Sequence, residues 1–313
     1  MPTSRPSTRY GHGSVGYMGA PSLGLFALNQ NLTANRESLA RMGSLAEELG
    51  YDSLWVGEHV VVPDPRVPPS PMEPEDPILD ALIALAFLAA QTERVRLATG
   101  IVVLPQRNPV VLAKQLASLD VVTGGRLTFG MGVGYLKPEL EAVGVPIERR
   151  GARAAEYLGA MRALWEQERP LFDGEFVSFS GVNAHPRPLQ RPLPVVMGGY
   201  SPAVHRRAAR NAQGWYGFFL DPDAAAEQIE SIRLALADAG RDASEFEISV
   251  SPRGRLDADV VAAYGRLGVD RLVLIPPDAF RRSADAPEVS LAEVESFVRD
   301  HTPERLAAKP LGG

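Results

Sequence analysis

Apolar residues recur along this chain with two alternating spacings. Short runs such as Arg96 to Val103 and Arg126 to Met131 are apolar and β-branched, without polar alternation. Strands buried on both faces have this pattern, and they belong to parallel sheets. Between such runs lie longer segments in which apolar residues return every three or four positions, as in Val110 to Val122. This spacing predicts amphipathic helices that alternate with the strands.

Eight predicted strands alternate with eight predicted helices. Thr33 is expected to cap the first helix and Gly50 to end it, and Ser290 with Glu293 forms a capping box for the last one. The predicted strands cover 23–28, 52–56, 96–103, 126–131, 195–197, 214–219, 246–251 and 271–275. The other predicted helices cover 77–92, 110–122, 149–166, 202–211, 223–239 and 257–267.

Alternation of this kind predicts parallel βαβ units, and eight units favour a single closed (β/α)8 TIM barrel. An open doubly wound sheet is the alternative, and it needs a GxGxxG fingerprint. Tyr135 and Lys137 stand where the last glycine of that fingerprint is required, counted from Gly130 and Gly132. The sequence therefore favours the barrel.

Three segments fall outside the alternation. Residues 1–20 are rich in Ser, Gly and Pro and are interpreted as an N-terminal arm before a barrel domain at 21–313. The proline-rich segment 62–77 is either a lid beside a site or a rigid surface loop. Residues 168–193 combine a predicted hairpin with several prolines and are expected to form an insertion over the C-terminal mouth of the barrel.

Composition limits the function classes. The net charge of −6 argues against a nucleic-acid partner. The absence of cysteine excludes disulfides, thiolate catalysis and cysteine-ligated metals, and it fits a cytoplasmic protein. The five histidines are scattered, so no metal site is predicted, and no apolar run is long enough for a transmembrane helix.

Three places carry candidate chemistry, each with a plainer alternative. The turn Gly198 to Ser201 precedes a helix and is either an anion site or an ordinary N-cap turn. Glu58-His59 ends the second strand, where a histidine either shuttles protons or has a structural role. Gly100-Ile101 marks either a bulge near a ligand or simple packing.

Together these motifs resemble the luciferase-like monooxygenase superfamily. The resemblance covers about residues 22 to 275, and it rests on LWVGEHVVVP, on the stretch from Arg94 to Gly144, on RRGARAAEYLGAMRALW and on PVVMGGYSPAVHRRAARNAQGW. Within that superfamily the chain looks most like oxidoreductases that use the deazaflavin coenzyme F420. The resemblance implies a TIM barrel with the cofactor at its C-terminal face, and homodimers by analogy.

The resemblance also implies roles for single residues. His59 matches a proton donor beside the cofactor ring, with Glu58 as its acidic neighbour. Gly100-Ile101 matches a bulge with a non-proline cis peptide behind the ring, and Trp215 is expected near the cleft wall. The implied cofactor-binding residues are Gly100, Ile101, Gly132, Val133, Gly134, Tyr135, Gly198, Gly199, Tyr200 and Ser201, of which Gly198, Gly199 and Ser201 match a phosphate-binding turn.

One departure from the family pattern concerns the role of Tyr135. Some relatives carry a glutamate at this place as a proton-transfer group, which argues against a sugar-phosphate or simple alcohol dehydrogenase. Glu139 is offset by four residues and is given little weight as a substitute.

The expected activity is hydride transfer between coenzyme F420 and an unidentified organic substrate. The first alternative is an FMN-dependent monooxygenase that receives reduced flavin from a partner reductase. The second is a barrel that binds flavin without catalysis.

Overall fold

A computed structural model describes residues 20–279 and 289–307 of the chain. The predicted N-terminal arm therefore lies outside the described residues, apart from Ala20. Eight parallel strands form the centre of the structure. They are β1 Ser22–Phe26, β2 Ser53–Val56, β3 Arg96–Thr99, β4 Leu127–Gly132, β5 Val195–Gly198, β6 Gly214–Leu220, β7 Glu247–Pro252 and β8 Arg271–Leu274.

The strands close into a barrel. Each pairs with its neighbours in sequence, β1 pairs with β8, and β3 pairs with β4 through Leu97 and Leu127. After Gly100-Ile101 the chain resumes pairing with β4 over Val102–Val103. The predicted (β/α)8 fold is confirmed.

Helices connect the strands and cover the outside of the barrel. They are α1 Arg36–Glu48, α2 Ala81–Gln91, α3 Pro109–Val122, α4 Lys137–Ala142, α5 Arg150–Glu166, α6 Pro202–Asn211, α7 Pro222–Asp238, α8 Ala258–Leu267, α9 Leu291–Asp300 and α10 Pro303–Leu306. The main core lies between these helices and the strands. A smaller cluster includes Phe26, Trp55, Ala98, Val196, Tyr216 and Val273, contributed by six different strands, and it fills the barrel interior.

Two helices begin later than the sequence pattern predicts. Thr33 does not cap α1, because its hydroxyl donates to the carbonyl of Gln30 at 2.8 Å inside a short 3-10 turn. Asn35 caps the helix instead by accepting the N–H of Ser38. The second helix begins after Asp80, whose carboxylate caps it, and not at Pro77. The capping box of Ser290 and Glu293 on α9 is confirmed.

The segment 168–193 forms the predicted hairpin, with Phe172–Asp173 paired to Ser178–Phe179. Its contacts, however, are with the outer helices. Glu156 of α5 accepts the backbone N–H groups of residues 175–177, and Gln190 hydrogen-bonds Asp120 of α3 and the carbonyl of Leu127, at the start of β4. These contacts anchor the segment to α3 and α5, and its position over the barrel mouth stays a prediction.

The proline-rich loop 62–77 is irregular and is anchored at its centre. Met72 is 1% exposed, and the Ser70 hydroxyl donates to its carbonyl at 2.9 Å. Next to the loop, Ile78 forms an isolated antiparallel bridge with Gln30. These contacts favour the rigid-loop interpretation of this segment over a lid.

Candidate active site

The candidate residues lie at the carboxyl ends of neighbouring strands. Because all barrel strands are parallel, the segments after β2, β3, β4 and β5 open at the same end of the barrel. The structure therefore brings together Glu58-His59, Gly100-Ile101, residues 132–135 and residues 198–201 at one mouth.

Ile101 lies between two of the glycines predicted to line the cofactor. The Gly100–Ile101 peptide is cis, as the resemblance implies. A Cβ added to Gly132 would lie 2.6 Å from Ile101 Cδ1, and one added to Gly198 would lie 3.3 Å from Ile101 Cγ2. Gly132 and Gly198 thus make room for the Ile101 side chain, which is half-buried and forms a platform at the mouth.

Gly100 is enclosed by the aromatic side chains of the barrel interior. A Cβ on Gly100 would lie within 3.1–3.3 Å of Trp55, Tyr216 and Phe26. The close approach of this backbone to three rings explains why glycine occupies the position. The packing interpretation of Gly100 is therefore supported, and the bulge near a ligand stays a prediction.

His59 is held by a buried carboxylate. Its Nδ1 lies 3.0 Å from Oε2 of Glu139, which is 2% exposed, and Oε1 of the same glutamate accepts the N–H of Val60 at 2.8 Å. Glu139 lies on α4, a helix of six residues that the sequence pattern did not reveal. The one signal for it is Pro138 beside an acidic residue, which is typical of a helix start.

Glu58 has a different environment from its neighbour. Its Oε2 accepts the N–H of Val103 at 2.7 Å and the Gln106 amide at 3.0 Å, and its Oε1 accepts Arg107 Nε at 2.9 Å. Burial raises the pKa of Glu58, while Arg107 and the other donors oppose that rise. Both oxygens are engaged by these bonds, so Glu58 anchors the loop after β3.

Tyr135 stands beside His59 at the rim. The two rings meet edge to face with their centroids 6.1 Å apart. Burial and then the charge of Glu139 raise the pKa of Tyr135 to about 12, so the phenol is protonated at neutral pH. Val133 and Gly134 are half-buried on the same loop, and Gly134 has a φ of +76°.

The turn 198–201 has the geometry of an ordinary N-cap turn, and its role as an anion site stays a prediction. Ser201 caps α6 by accepting the N–H of Val204 at 3.3 Å, and Pro202 is the first helical residue, as in an ordinary N-cap turn. Within the described part of the chain, no acceptor takes the backbone N–H of Tyr200 or Ser201. These amides and the helix N-terminus together can bind an anion.

Trp215 lies behind the turn 198–201 and is not exposed on the surface of the cleft. Its side chain is fully buried among the residues that pack the strands against the helices, and it meets His205 of α6 edge to face. Trp215 Nε1 donates to the carbonyl of Gly199 at 2.8 Å, which supports the turn from below.

The arrangement fits a flat cofactor that ends in an anionic group. Ile101 offers an apolar platform, the turn after β5 offers two amides that have no acceptor among the described residues, and His59 offers an imidazole nitrogen. Over residues 20–279 and 289–307 there is no group of three acidic or histidine side chains that could hold a metal ion. None of the helices in these ranges has the length and apolar composition required to cross a membrane.

Comparisons with known proteins match most of the chain. The family model described as luciferase-like monooxygenase matches residues 22–275. An uncharacterised protein of Mycobacterium tuberculosis is 35% identical over 86% of this chain and 93% of its own length. The F420-dependent glucose-6-phosphate dehydrogenase of Kineococcus radiotolerans is 29% identical over 72% of this chain and 66% of its own length. The FMNH(2)-dependent dimethylsulfone monooxygenase of Pseudomonas putida is 36% identical over 43% of this chain and 37% of its own length.

Solved structures share the fold at low sequence identity. The monooxygenase RslO1 from Streptomyces bottropensis has a TM-score of 0.73 and 24% identity, over 91% of this chain and 98% of its own. An F420-dependent secondary alcohol dehydrogenase has a TM-score of 0.75 and 16% identity, over 92% of this chain and 99% of its own. The barrel is thus common to proteins with different chemistries.

Proposed function

The chain belongs to the luciferase-like monooxygenase family, and from this premise we propose that it is an F420-dependent oxidoreductase acting on an apolar organic substrate. The observation that carries the proposal is the hydrogen bond of His59 to the buried Glu139 at the mouth of the barrel. It gives the site one oriented group for proton transfer, beside a platform on which a flat ring can lie.

Different residues of the mouth would contact the ring and the phosphate of the cofactor. Ile101 would support the ring, and Val133, Gly134 and Tyr135 would border it. The amides of Tyr200 and Ser201 would bind its phosphate at the N-terminus of α6. When bound, coenzyme F420 supplies a hydride from C5 of its deazaflavin ring.

His59 supplies the proton that balances the hydride. In the reducing direction its Nε2–H gives a proton to the substrate, which gains two electrons and two hydrogens overall. In the oxidising direction Nε2 accepts the proton instead. A histidine suits both roles near neutral pH. Glu58 is a positioning residue in this proposal, because its oxygens are used by Val103, Gln106 and Arg107.

The rim of the mouth favours an apolar substrate. Large apolar or aromatic side chains stay 44–50% exposed after β2, β4 and β5 and at the end of β6, and an exposed cluster of this kind is typical of a binding surface. The Tyr200 hydroxyl accepts the N–H of Phe218 at 3.0 Å. Tyr200 therefore presents its ring, and not its hydroxyl, to a substrate at the mouth. The rim side chains are Val60, Val61, Tyr135, Tyr200 and Phe219.

An FMN-dependent monooxygenase fed by a partner reductase is the second candidate. The relative from Pseudomonas putida favours it, because its 36% identity is the higher of the two, although over a shorter span. The same platform and turn would hold an isoalloxazine ring and its phosphate. The two candidates differ in the cofactor that the protein selects.

A titration of the purified protein separates these candidates. We expect coenzyme F420 to bind tightly and FMN, oxidised or reduced, to bind at least tenfold more weakly. The reduced deazaflavin is then supplied with a panel of unsaturated carbonyl compounds, and its reoxidation is followed by absorbance. His59→Gln is the matched variant and should keep cofactor binding while losing turnover. Preference for FMN overturns the proposal in favour of the monooxygenase, and binding of neither cofactor contradicts both candidates.

A further inference from the structure

Glu139 makes two hydrogen bonds that converge on the residues just after β2. Its Oε2 faces His59 Nδ1 at 3.0 Å, and its Oε1 accepts the N–H of Val60 at 2.8 Å. The carboxylate is 2% exposed, so solvent does not compete for either oxygen. The side chain of His59 is 13% exposed.

We propose that Glu139 is a positioning residue that holds His59 in the tautomer protonated on Nδ1, which leaves Nε2 to exchange protons with the substrate. The proposal rests on the proposed function for what Nε2 does, but the tautomer itself is a property of the free protein. An ionised carboxylate has only acceptors, so the atom of His59 that faces it must carry the hydrogen.

Gln106 supports this assignment from the other side. Its Nε2 lies 3.0 Å from Oε2 of Glu58 and 3.5 Å from Oε1 of Glu139, so the amide nitrogen faces two carboxylates. The opposite orientation of the amide would place its oxygen against two acceptors. The amide nitrogen therefore lies between Glu58 and Glu139 and donates to both carboxylates.

Nε2 of His59 remains available for proton exchange with the substrate. Within the ranges that the structure describes, no hydrogen bond reaches Nε2 of His59, and this atom is not among the buried polar atoms. A neutral His59 then presents a lone pair at Nε2, and a protonated one presents an N–H there. Orientation of a histidine by a second residue in this way governs which nitrogen reacts.

Replacement of Glu139 by glutamine tests this role sharply. Glutamate uses one oxygen for Val60 and the other for His59, whereas glutamine has a single oxygen. If that oxygen keeps the N–H of Val60, the NH2 group of the introduced amide turns to His59 and requires an acceptor at Nδ1. The tautomer of His59 should then change to the form protonated on Nε2.

The experiment is a long-range 1H–15N correlation of histidine side chains in the full-length, 15N-labelled protein without added cofactor. His59→Gln assigns the His59 signals by their loss. In the wild type we expect a pyrrole-type shift for Nδ1 and a pyridine-type shift for Nε2. Glu139→Gln should exchange or average these shifts. The control Glu141→Gln makes the same change at an exposed position of α4, where the glutamate pairs with Lys137, and should leave them unchanged.

Turnover provides the second measurement. Glu139→Gln should bind the cofactor within about twofold of the wild type and lower kcat at least about tenfold, as loss of an orienting residue does. A wild-type His59 that carries its hydrogen on Nε2 and not on Nδ1 overturns the proposal even if no variant folds, and so does an unchanged tautomer in Glu139→Gln. Selection of FMN over coenzyme F420 would overturn the proposed function while leaving the tautomer result intact.

Discussion

Arg107 and Glu58 form a buried ion pair that joins the end of β2 to the loop after β3. The Arg107 Nε lies 2.9 Å from Glu58 Oε1, and its Nη2 lies 2.7 Å from Asp80, the residue that caps α2. One guanidinium thus connects the segment that carries His59, the loop that follows Ile101, and the start of a helix. The pair fixes the two sides of the candidate site relative to each other.

Loss of this guanidinium should be costly. In Arg107→Met the carboxylate of Glu58 stays buried without its counter-charge, so we expect the free energy of unfolding to fall by about 3–5 kcal/mol. Urea unfolding followed by circular dichroism measures the change. The control Arg305→Met breaks an ion pair with Asp300 in which both side chains are more than half exposed, and it should cost no more than about 1 kcal/mol. Equal losses in the two variants would mean that the Glu58 pair is not structurally important.

Two glycines near the ends of α4 allow the cost of backbone strain to be measured apart from the cost of close packing. Gly134 has a φ of +76° and Gly144 a φ of +75°, but only a Cβ at Gly134 would meet a neighbour, at 2.6 Å from Val103 Cγ1. We expect Gly144→Ala to cost about 1–2 kcal/mol of stability, from the left-handed backbone alone. Gly134→Ala should cost more and should weaken cofactor binding at least tenfold, because the Val103 that it would displace follows Ile101 by only two residues. Cofactor titrations of both variants measure the affinities, and equal affinities would show that Gly134 does not take part in cofactor binding.

Most of the fold could be predicted from local signals. The buried strands, the helical spacing and the glycines after α1 and α3 are each properties of a short stretch, and the parallel barrel follows from their alternation. Thr33 shows where such reasoning fails. A threonine before an amphipathic segment is a good N-cap by composition, yet its hydroxyl bonds to nearby carbonyls in a turn that the sequence does not reveal.

The site was predictable at the strand ends and not beyond them. His59 and the glycine-rich segments could be identified because parallel strands must end together. The sequence indicates Glu139 only as a weak substitute for the glutamate that Tyr135 replaces, and its contact with His59 could not be predicted, because it lies 80 positions from His59 on a helix of six residues, too short to show a periodicity. Burial shields the hydrogen bonds of Glu139 from solvent, and this burial depends on the packing of the whole mouth. The side to which Trp215 points could not be predicted either, because adjacent strand residues face opposite sides and the pattern did not fix which side faces the barrel interior.

Asp278 gives a prediction about pH. It follows β8, and one of its carboxylate oxygens, Oδ2, is buried without a hydrogen-bond partner in the described part of the chain. Burial raises the pKa of Asp278 from 3.8 to about 6, against hydrogen bonds from the backbone. The folded protein therefore binds more protons than the unfolded chain between about pH 4 and pH 6, and this carboxyl makes the free energy of unfolding fall as the pH rises through that window.

Asp278→Asn removes this penalty. Two pKa units correspond to about 3 kcal/mol, and partial solvent access reduces the expected gain in stability at pH 7 to about 1–2 kcal/mol. At pH 4 the variant and the wild type should be nearly equally stable, because the carboxyl is then largely protonated in the folded state. Urea unfolding at pH 4, 5, 6 and 7 measures the trend, and Asp259→Asn, at an exposed position of α8, should not show it. A variant less stable than the wild type at pH 7 would mean that the folded protein needs the charge of Asp278.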